Sequence, residues 1–146
     1  MKVLYVSKAS RVAAHREKLR VMAERVDVTL VTPERWGGTP WEPAPFDRTL
    51  EIRRLPALLH GHNHLHAYRG LGRLLEAGDV DLVHVDEEPY SLATLQAVRK
   101  ARGRAVPAVF FAWQNIDKDL PPPFTALRRR VYRRAAGGIA GTEAAA

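Results

Sequence analysis

The feature that most constrains this fold is an alternation of short apolar stretches with longer amphipathic ones along the chain. The short stretches have the length of β-strands, and the longer ones repeat apolar residues at the spacing of a helix packed on one side. This alternation is typical of a parallel sheet with helices on both faces, so we predict an α/β fold of about six strands. The predicted strands are Lys2–Ser7, Asp27–Thr32, Thr49–Leu55, Asp81–Asp86, Ala108–Trp113 and Gly138–Gly141.

Helices are predicted between most of these strands, and two connections are predicted to be loops. The segment from Trp36 to Pro45 is dense in glycine and proline, which neither a helix nor a strand accommodates, and His60–His66 is a second, histidine-rich loop. Charged residues interrupt Thr49–Leu55, which favours an edge strand. The predicted helices are Ala14–Arg25, Ala67–Ala77 closed by a left-handed Gly78, Pro89–Arg102, a helix with Phe124, Leu127, Val131 and Ala135 on one face, and a last helix capped by Thr142.

Length and composition narrow the class of protein. The chain has 146 residues, the size of one domain with one core. No apolar run reaches the ~20 residues that a membrane-spanning helix needs, and the apolar N-terminus is too short for a signal peptide. The chain has no cysteine, which excludes disulfides, thiolate metal sites and cysteine nucleophiles and favours a cytoplasmic location.

The net charge of +7 suggests an anionic partner. Basic residues concentrate in Arg128–Arg134, and on a helix Arg129, Arg130 and Arg133 would point away from the apolar face. Such a face is either solvated or in contact with an anionic membrane surface, where each basic residue contributes about 1 kcal/mol. Nucleic acid is disfavoured as a partner, because no aromatic-bearing strand or recognition helix accompanies the arginines.

Polar residues follow the predicted strands at their carboxyl ends, where ligands bind in open parallel sheets. Carboxylates, amides and hydroxyls gathered there suit a hydroxyl-rich ligand such as a sugar, because each group can pair with a hydroxyl donor or acceptor. The residues at these ends include Ser7 and Lys8 after the first strand, Asp86 and Glu87 after the fourth, Trp113, Gln114 and Asn115 after the fifth, and Thr142 after the sixth.

Several common sites are absent from the sequence. No glycine follows the first strand until Gly37, so the chain has neither the dinucleotide-binding turn nor the P-loop, and it has no G-x-S-x-G elbow. The alternating histidines of His60–His66 could share a metal, but nearby residues offer no firm further ligand, so we predict no metal site. His84 lies inside a predicted strand and is interpreted as a hydrogen-bonded core histidine.

Three segments carry a resemblance to a known family. Asp81–Ala93, Phe110–Ile116 and Tyr132–Glu143, in this order of elements, resemble the N-terminal domain of family 4 glycosyltransferases of the GT-B fold. The resemblance implies that residues 1–146 form a single Rossmann-like domain, the acceptor-side half of a two-domain enzyme. The donor-binding C-terminal domain is then expected to lie outside this chain, which we interpret as the first part of a longer polypeptide.

The family's activity is implied in the same way. Its members transfer a sugar from a nucleotide-sugar donor with retention of configuration, usually without a metal, and the donor binds mainly to the second domain. This chain therefore carries no cofactor of its own in this interpretation. Many relatives have a histidine after the fifth strand, whereas Trp113 stands here, and relatives often have glycines where Ser7 and Lys8 stand. The catalytic residues are therefore unassigned, since neutral amides such as Gln114 cannot act as a general base.

Two functional hypotheses follow. The first is that the chain is the acceptor-side half of a retaining, hexosyltransferase-like enzyme and is inactive alone. The enzyme is then expected in the cytoplasm, peripheral at the inner membrane face. Its expected partners are a sugar acceptor and the donor domain. The alternative is a stand-alone basic α/β module that binds nucleic acid or an anionic surface without catalysis. For the first, the predicted cleft-lining residues are Ser7, Lys8, His64, His66, Glu87, Tyr90, Gln114, Asn115 and Thr142, and the predicted anionic-surface contacts are Arg129, Arg130 and Arg133.

Overall fold

The computed structural model describes residues 1–113 and 119–143 and contains a parallel six-stranded sheet. In spatial order the strands are β3, β2, β1, β6, β7 and β8, and β4 pairs antiparallel with β5 in a separate two-stranded ladder. The strands are β1 Lys2–Val6, β2 Asp27–Pro33, β3 Glu51–Leu55, β4 Ala57–Leu58, β5 Ala67–Tyr68, β6 Leu82–Val85, β7 Ala108–Ala112 and β8 Gly137–Ala140.

Four α-helices accompany the sheet in the part of the chain that the structure describes. They are α1 Ala13–Ala23, α2 Leu71–Ala77, α3 Leu92–Arg102 and α4 Pro122–Tyr132, and short 3-10 turns cover Ala9–Arg11 and Pro45–Thr49. None of the helices in the described ranges is long and apolar enough to cross a membrane.

The sheet has an apolar core on each face, because alternate residues of a strand point to opposite sides. Leu4 and Val6 of β1 belong to the larger core, which α2, α3 and α4 cover. Tyr5 points the other way and packs with Leu19 of α1 and Leu30 of β2. The predicted α/β sheet with helices on both faces is thus confirmed.

The strands of this sheet all run parallel, but the order in which the chain adds them to the sheet reverses between β1 and β6. We call this point the strand reversal. From β1 the chain continues to β2 and β3 on one side, whereas β6 is followed by β7 and β8 on the other. In open parallel sheets the loops at such a reversal diverge and leave a crevice at the carboxyl ends of the two strands. The crevice between the ends of β1 and β6 is therefore where a ligand site is expected.

The prediction of a helix over Ala67–Ala77 was wrong for its first four residues. Ala67 and Tyr68 are extended and pair with β4, and α2 begins only at Leu71. Gln96 of α3 holds Tyr68 in this conformation, because its amide donates to the Tyr68 carbonyl and accepts from the Tyr68 N–H, each at 2.8 Å. Gly78 ends α2 in an extended conformation (φ −118°) and not in the predicted left-handed one.

Two arginines hold the long loop after β2, which the sequence predicted only as irregular. Arg16 of α1 is fully buried, binds both oxygens of Asp47 at 2.8 and 3.0 Å, and lies 3.9 Å from the ring centre of Trp41. Arg11 donates to the carbonyls of Pro33 at 2.7 Å and Thr39 at 3.1 and 3.2 Å. Backbone carbonyls that a regular element would pair are thus satisfied by guanidinium groups.

Replacing Arg16 tests this role. We expect Arg16→Ala to lower the free energy of unfolding by about 3 kcal/mol, since it removes the cation paired with the partly buried Asp47 carboxylate and the guanidinium donor to the Ser10 and Glu42 carbonyls. Urea unfolding followed by circular dichroism measures the loss. Arg20→Ala, on the same helix but in exposed pairs with Glu17 and Glu24, is the matched control and should barely move the urea midpoint. Equal effects of the two substitutions would contradict the assignment.

Candidate functional site

Polar side chains from β1 and β6 meet in the crevice at the strand reversal. Ser7 and Lys8 follow β1, and Asp86 and Glu87 follow β6. The Ser7 hydroxyl donates to Asp86 Oδ2 at 3.1 Å, and the Lys8 backbone N–H donates to Glu87 Oε1 at 2.8 Å. The two strand ends are therefore joined by side-chain bonds as well as by the sheet.

Asp86 is the centre of the first cluster, on the face that α1 covers. Its Oδ2 accepts a hydrogen bond from Lys18 Nζ at 2.9 Å, and its Oδ1 accepts one from the Trp113 indole N–H at 2.7 Å. Burial opposes the ionisation of Asp86, but the hydrogen bond and charge of Lys18, with the bond from Trp113, lower its pKa below the usual value. Asp86 is thus a carboxylate whose two oxygens fix a lysine and a tryptophan.

Glu87 is the centre of the second cluster, on the opposite face. Its buried side chain forms an ion pair with the Lys8 ammonium group and lies 3.7 Å from His66 Nε2. Burial raises the pKa of Glu87 to about 7, although the Lys8 charge acts in the opposite direction. Burial, together with the Lys8 charge, lowers the pKa of His66 to about 4, so this histidine is neutral at physiological pH.

Aromatic rings surround both clusters. The Trp36 ring contacts the His66 ring edge to face at 4.6 Å between centres, and Lys8 Nζ lies 5.8 Å from the Trp36 ring centre. Trp113 lies beside Lys18, whose Nζ is 5.1 Å from its ring centre, and its side chain is 54% exposed. The indole of Trp113 is therefore accessible to a ligand while its N–H is fixed to Asp86.

The predicted cleft residues separate into buried and accessible groups. Ser7, His66 and Glu87 are almost fully buried, so they position other residues of the site without reaching a ligand. The Lys8 side chain is 19% exposed and can reach one. Tyr90 is also buried and His64 is half-buried, and their ring centres are 4.8 Å apart.

The remaining predicted residues lie elsewhere. Thr142 is exposed after β8, at the same edge of the sheet. Gln114 and Asn115 lie outside the described residues. Arg129 and Arg130 on α4 and Arg133 just after it are exposed, and all three line a surface groove of about 420 Å³.

Sequence reasoning did not identify Lys18 and Trp36 as site residues. Lys18 lies within an amphipathic helix with many charged residues, and Trp36 lies in an irregular loop, so neither position was distinguished locally. His84, predicted to be a hydrogen-bonded core histidine, packs on Tyr5 at 4.6 Å, but its Nε2 has no hydrogen-bond partner among the described residues. The sequence did give one indication of a partner such as Lys18: Asp86 lies at the end of an apolar strand, and a buried carboxylate requires a cation.

The chemistry of these residues favours a polyhydroxylated ligand. An ammonium group has three N–H donors, so Lys8 and Lys18 retain donors beyond those directed at Glu87 and Asp86. An accessible indole beside them offers an apolar face. Within the described ranges no group of three or more histidine and carboxylate side chains is placed to hold a metal ion.

Comparison with known proteins identifies the family. The model of the glycosyl transferase 4-like domain matches residues 10–146. The chain is similar in structure to MurG of Acinetobacter baumannii in its crystal structure, with a TM-score of 0.60 and 9% identity over 99% of this chain and 42% of that chain. No curated protein matches the sequence.

At 9% identity the likeness to MurG concerns the fold alone, and this chain spans less than half of the MurG chain. It confirms the Rossmann-like α/β architecture expected of one half of a GT-B enzyme. The family match covers nearly the whole sequence, including β6 and the residues at its end, and begins after β1 and Lys8. The chain therefore belongs to the glycosyl transferase 4-like domain family.

Proposed function

We propose that this chain is the acceptor-side half of a retaining, hexosyltransferase-like enzyme that moves a sugar from a nucleotide-sugar donor to an acceptor in the cytoplasm. Family membership supports transferase chemistry in general. The observation that carries the proposal is the pair of lysines at the strand reversal, Lys8 and Lys18, each anchored to a buried carboxylate and each partly accessible.

In this proposal the two ammonium groups donate hydrogen bonds to acceptor hydroxyls. Glu87 and Asp86 neutralise the two charges, so the lining suits an uncharged, polyhydroxylated molecule more than a strongly anionic one. The accessible ring of Trp113 is suited to pack on the C–H face of a sugar. Because Trp113 is already fixed by Asp86, little side-chain entropy is lost when the acceptor binds.

The donor belongs mainly to a second domain in this account. A GT-B enzyme closes its cleft between two such domains, and the chain described here spans 42% of the MurG chain that it resembles. Glycosyl transfer depends on holding donor and acceptor in reacting geometry, which can supply ~7–11 kcal/mol of the barrier reduction. One wall of a cleft lacks this contribution, so we propose that the 146 residues alone are inactive.

The isolated chain provides the first test. Incubated with a panel of nucleotide sugars, it should release nucleoside diphosphate no faster than buffer does. The same assay on the complete polypeptide, if a donor domain follows, should show release that depends on an added acceptor. Turnover by the isolated chain at an enzymatic rate would contradict the proposed division of labour.

Lys8 provides the second test, in the complete polypeptide. Loss of a hydrogen bond from a charged group costs about 1.5–3 kcal/mol, so we expect Lys8→Ala to lower kcat/KM by about tenfold or more. Lys2→Ala is the matched control, because Lys2 begins β1 at the end of the strand far from Lys8 and pairs weakly with Asp79 at 3.9 Å. Initial rates over a range of acceptor concentrations measure both variants. If the two variants behaved alike, Lys8 would have no role in the cleft.

A basic binding module is the second candidate function. The exposed Arg129, Arg130 and Arg133 support it, since none of them forms an ion pair with a described residue. Contact with an anionic membrane surface through these arginines is compatible with the enzyme as well. Salt separates the candidates: nanomolar binding to DNA or RNA that weakens steeply with salt would favour the module, and its absence at physiological salt would favour the enzyme.

A further inference from the structure

A small hairpin beside the crevice exposes several leucines. The leucine hairpin, residues 57–68, consists of β4, a turn and β5. Leu58 at the end of β4 and Leu59 and Leu65 in the turn have 47, 57 and 41% of their surfaces exposed. Three large, exposed aliphatic side chains thus lie within one segment of eight residues, in contrast to the singly scattered exposed apolar residues that are normal on protein surfaces.

The hairpin is fixed to the body of the domain. The Leu92 N–H at the start of α3 donates to the His64 carbonyl at 2.8 Å, and the Arg69 N–H donates to the Pro56 carbonyl at 2.8 Å. Leu59 has a φ of 52°, in the left-handed region that favours glycine and strains a leucine. A strained, exposed leucine on an anchored turn contributes nothing evident to folding, which points to a role outside the core.

The charge around the hairpin is entirely of one sign along the chain. Residues 52–75 contain four arginines, four histidines and no aspartate or glutamate. Arg53 is paired with Glu51 at 2.6 Å, whereas Arg69 and Arg73 are exposed. Two acidic residues lie beside this segment in space: the exposed Glu34, whose backbone N–H donates to the Leu55 carbonyl, and the buried Glu87, 3.7 Å from His66. Exposed leucines within an acid-free basic segment match the composition of surfaces that bind anionic lipid.

We infer that the leucine hairpin docks on an anionic membrane surface. Leu58, Leu59 and Leu65 enter the boundary between headgroups and acyl chains, and Arg69 and Arg73 contact lipid phosphates. These residues are different from the exposed arginines of α4 and its end, so the inference does not depend on Arg129, Arg130 or Arg133.

The hairpin also borders the candidate site. His66, near its end, lies 3.7 Å from Glu87 and contacts the ring of Trp36. Docking of the hairpin would therefore hold the crevice next to the lipid surface. If the proposed glycosyl transfer is correct, the acceptor is then a molecule presented by the membrane; the docking itself does not rest on that activity.

Vesicle sedimentation with the 146-residue chain tests the inference. We expect binding to vesicles of phosphatidylcholine with phosphatidylglycerol and little binding to phosphatidylcholine alone. Leu59→Gly combined with Leu65→Ser should lower the partition coefficient by about tenfold or more, since each substitution removes apolar side-chain atoms that would be buried in the membrane. Glycine fits the φ of Leu59, so this variant should remain folded, which circular dichroism checks.

Two control variants make the result specific. Val21→Ser removes an apolar side chain that is 48% exposed on α1, and its partition coefficient should equal that of the parent chain. Arg129→Glu with Arg130→Glu and Arg133→Glu should weaken binding less than the leucine double variant does. Absence of binding to anionic vesicles, or loss of binding in the α4 variant alone, would overturn the inference.

Light scattering tests the other possible partner of these leucines, a second copy of the chain. If the parent chain were a dimer and the leucine double variant a monomer, the leucines would form a protein contact, and the membrane inference would be wrong. Vesicle binding is measured without donor or acceptor, so its failure leaves the proposed glycosyl transfer untouched, and a failed transferase assay leaves the lipid contact untouched.

Discussion

Two consecutive buried carboxylates at the end of β6 impose the constraint on which the site depends. Asp86 and Glu87 point to opposite faces of the sheet and are 3% and 1% exposed. A buried carboxylate without a partner is strongly unfavourable, so each requires a cation. Lys18 of α1 meets the first and Lys8 after β1 meets the second. The ends of β1 and β6, the helix α1 and the loop after β1 are thereby held in one arrangement.

The two carboxylates differ in what they contribute. Lys18 and Trp113 keep the pKa of Asp86 low, so this group holds its partners as a permanent charge. Burial brings the pKa of Glu87 to about 7, with neutral His66 beside it, so the charge on this face changes near physiological pH. The charge on the Asp86 side of the crevice is thus constant near neutral pH, and the charge on the Glu87 side changes with pH. This asymmetry cannot be read from the adjacent sequence positions, because it arises from the different depth and partners of each side chain.

The sequence predicted the elements whose pattern is local. All six strands of the sheet, the edge position of β3 and the grouping of Ser7, Lys8 and Glu87 at one edge followed from apolar periodicity and strand direction. Features that depend on distant partners were missed. The extended Ala67–Tyr68 segment is held by a side chain from α3, and the loop after β2 is held by Arg11 and Arg16. Neither partner is visible in a short window of sequence.

The central claim, that the strand reversal is one wall of a sugar-binding cleft, is tested most directly by the indole N–H signals of the chain in ¹⁵N NMR. Trp113 and Trp36 lie beside Lys18 and Lys8, whereas Trp41 lies between Arg16 and Arg54, outside the crevice. Titration with simple methyl glycosides should shift the Trp113 and Trp36 signals and leave Trp41 in place. Glycosides that shifted none of the three signals, or Trp41 alone, would contradict the account.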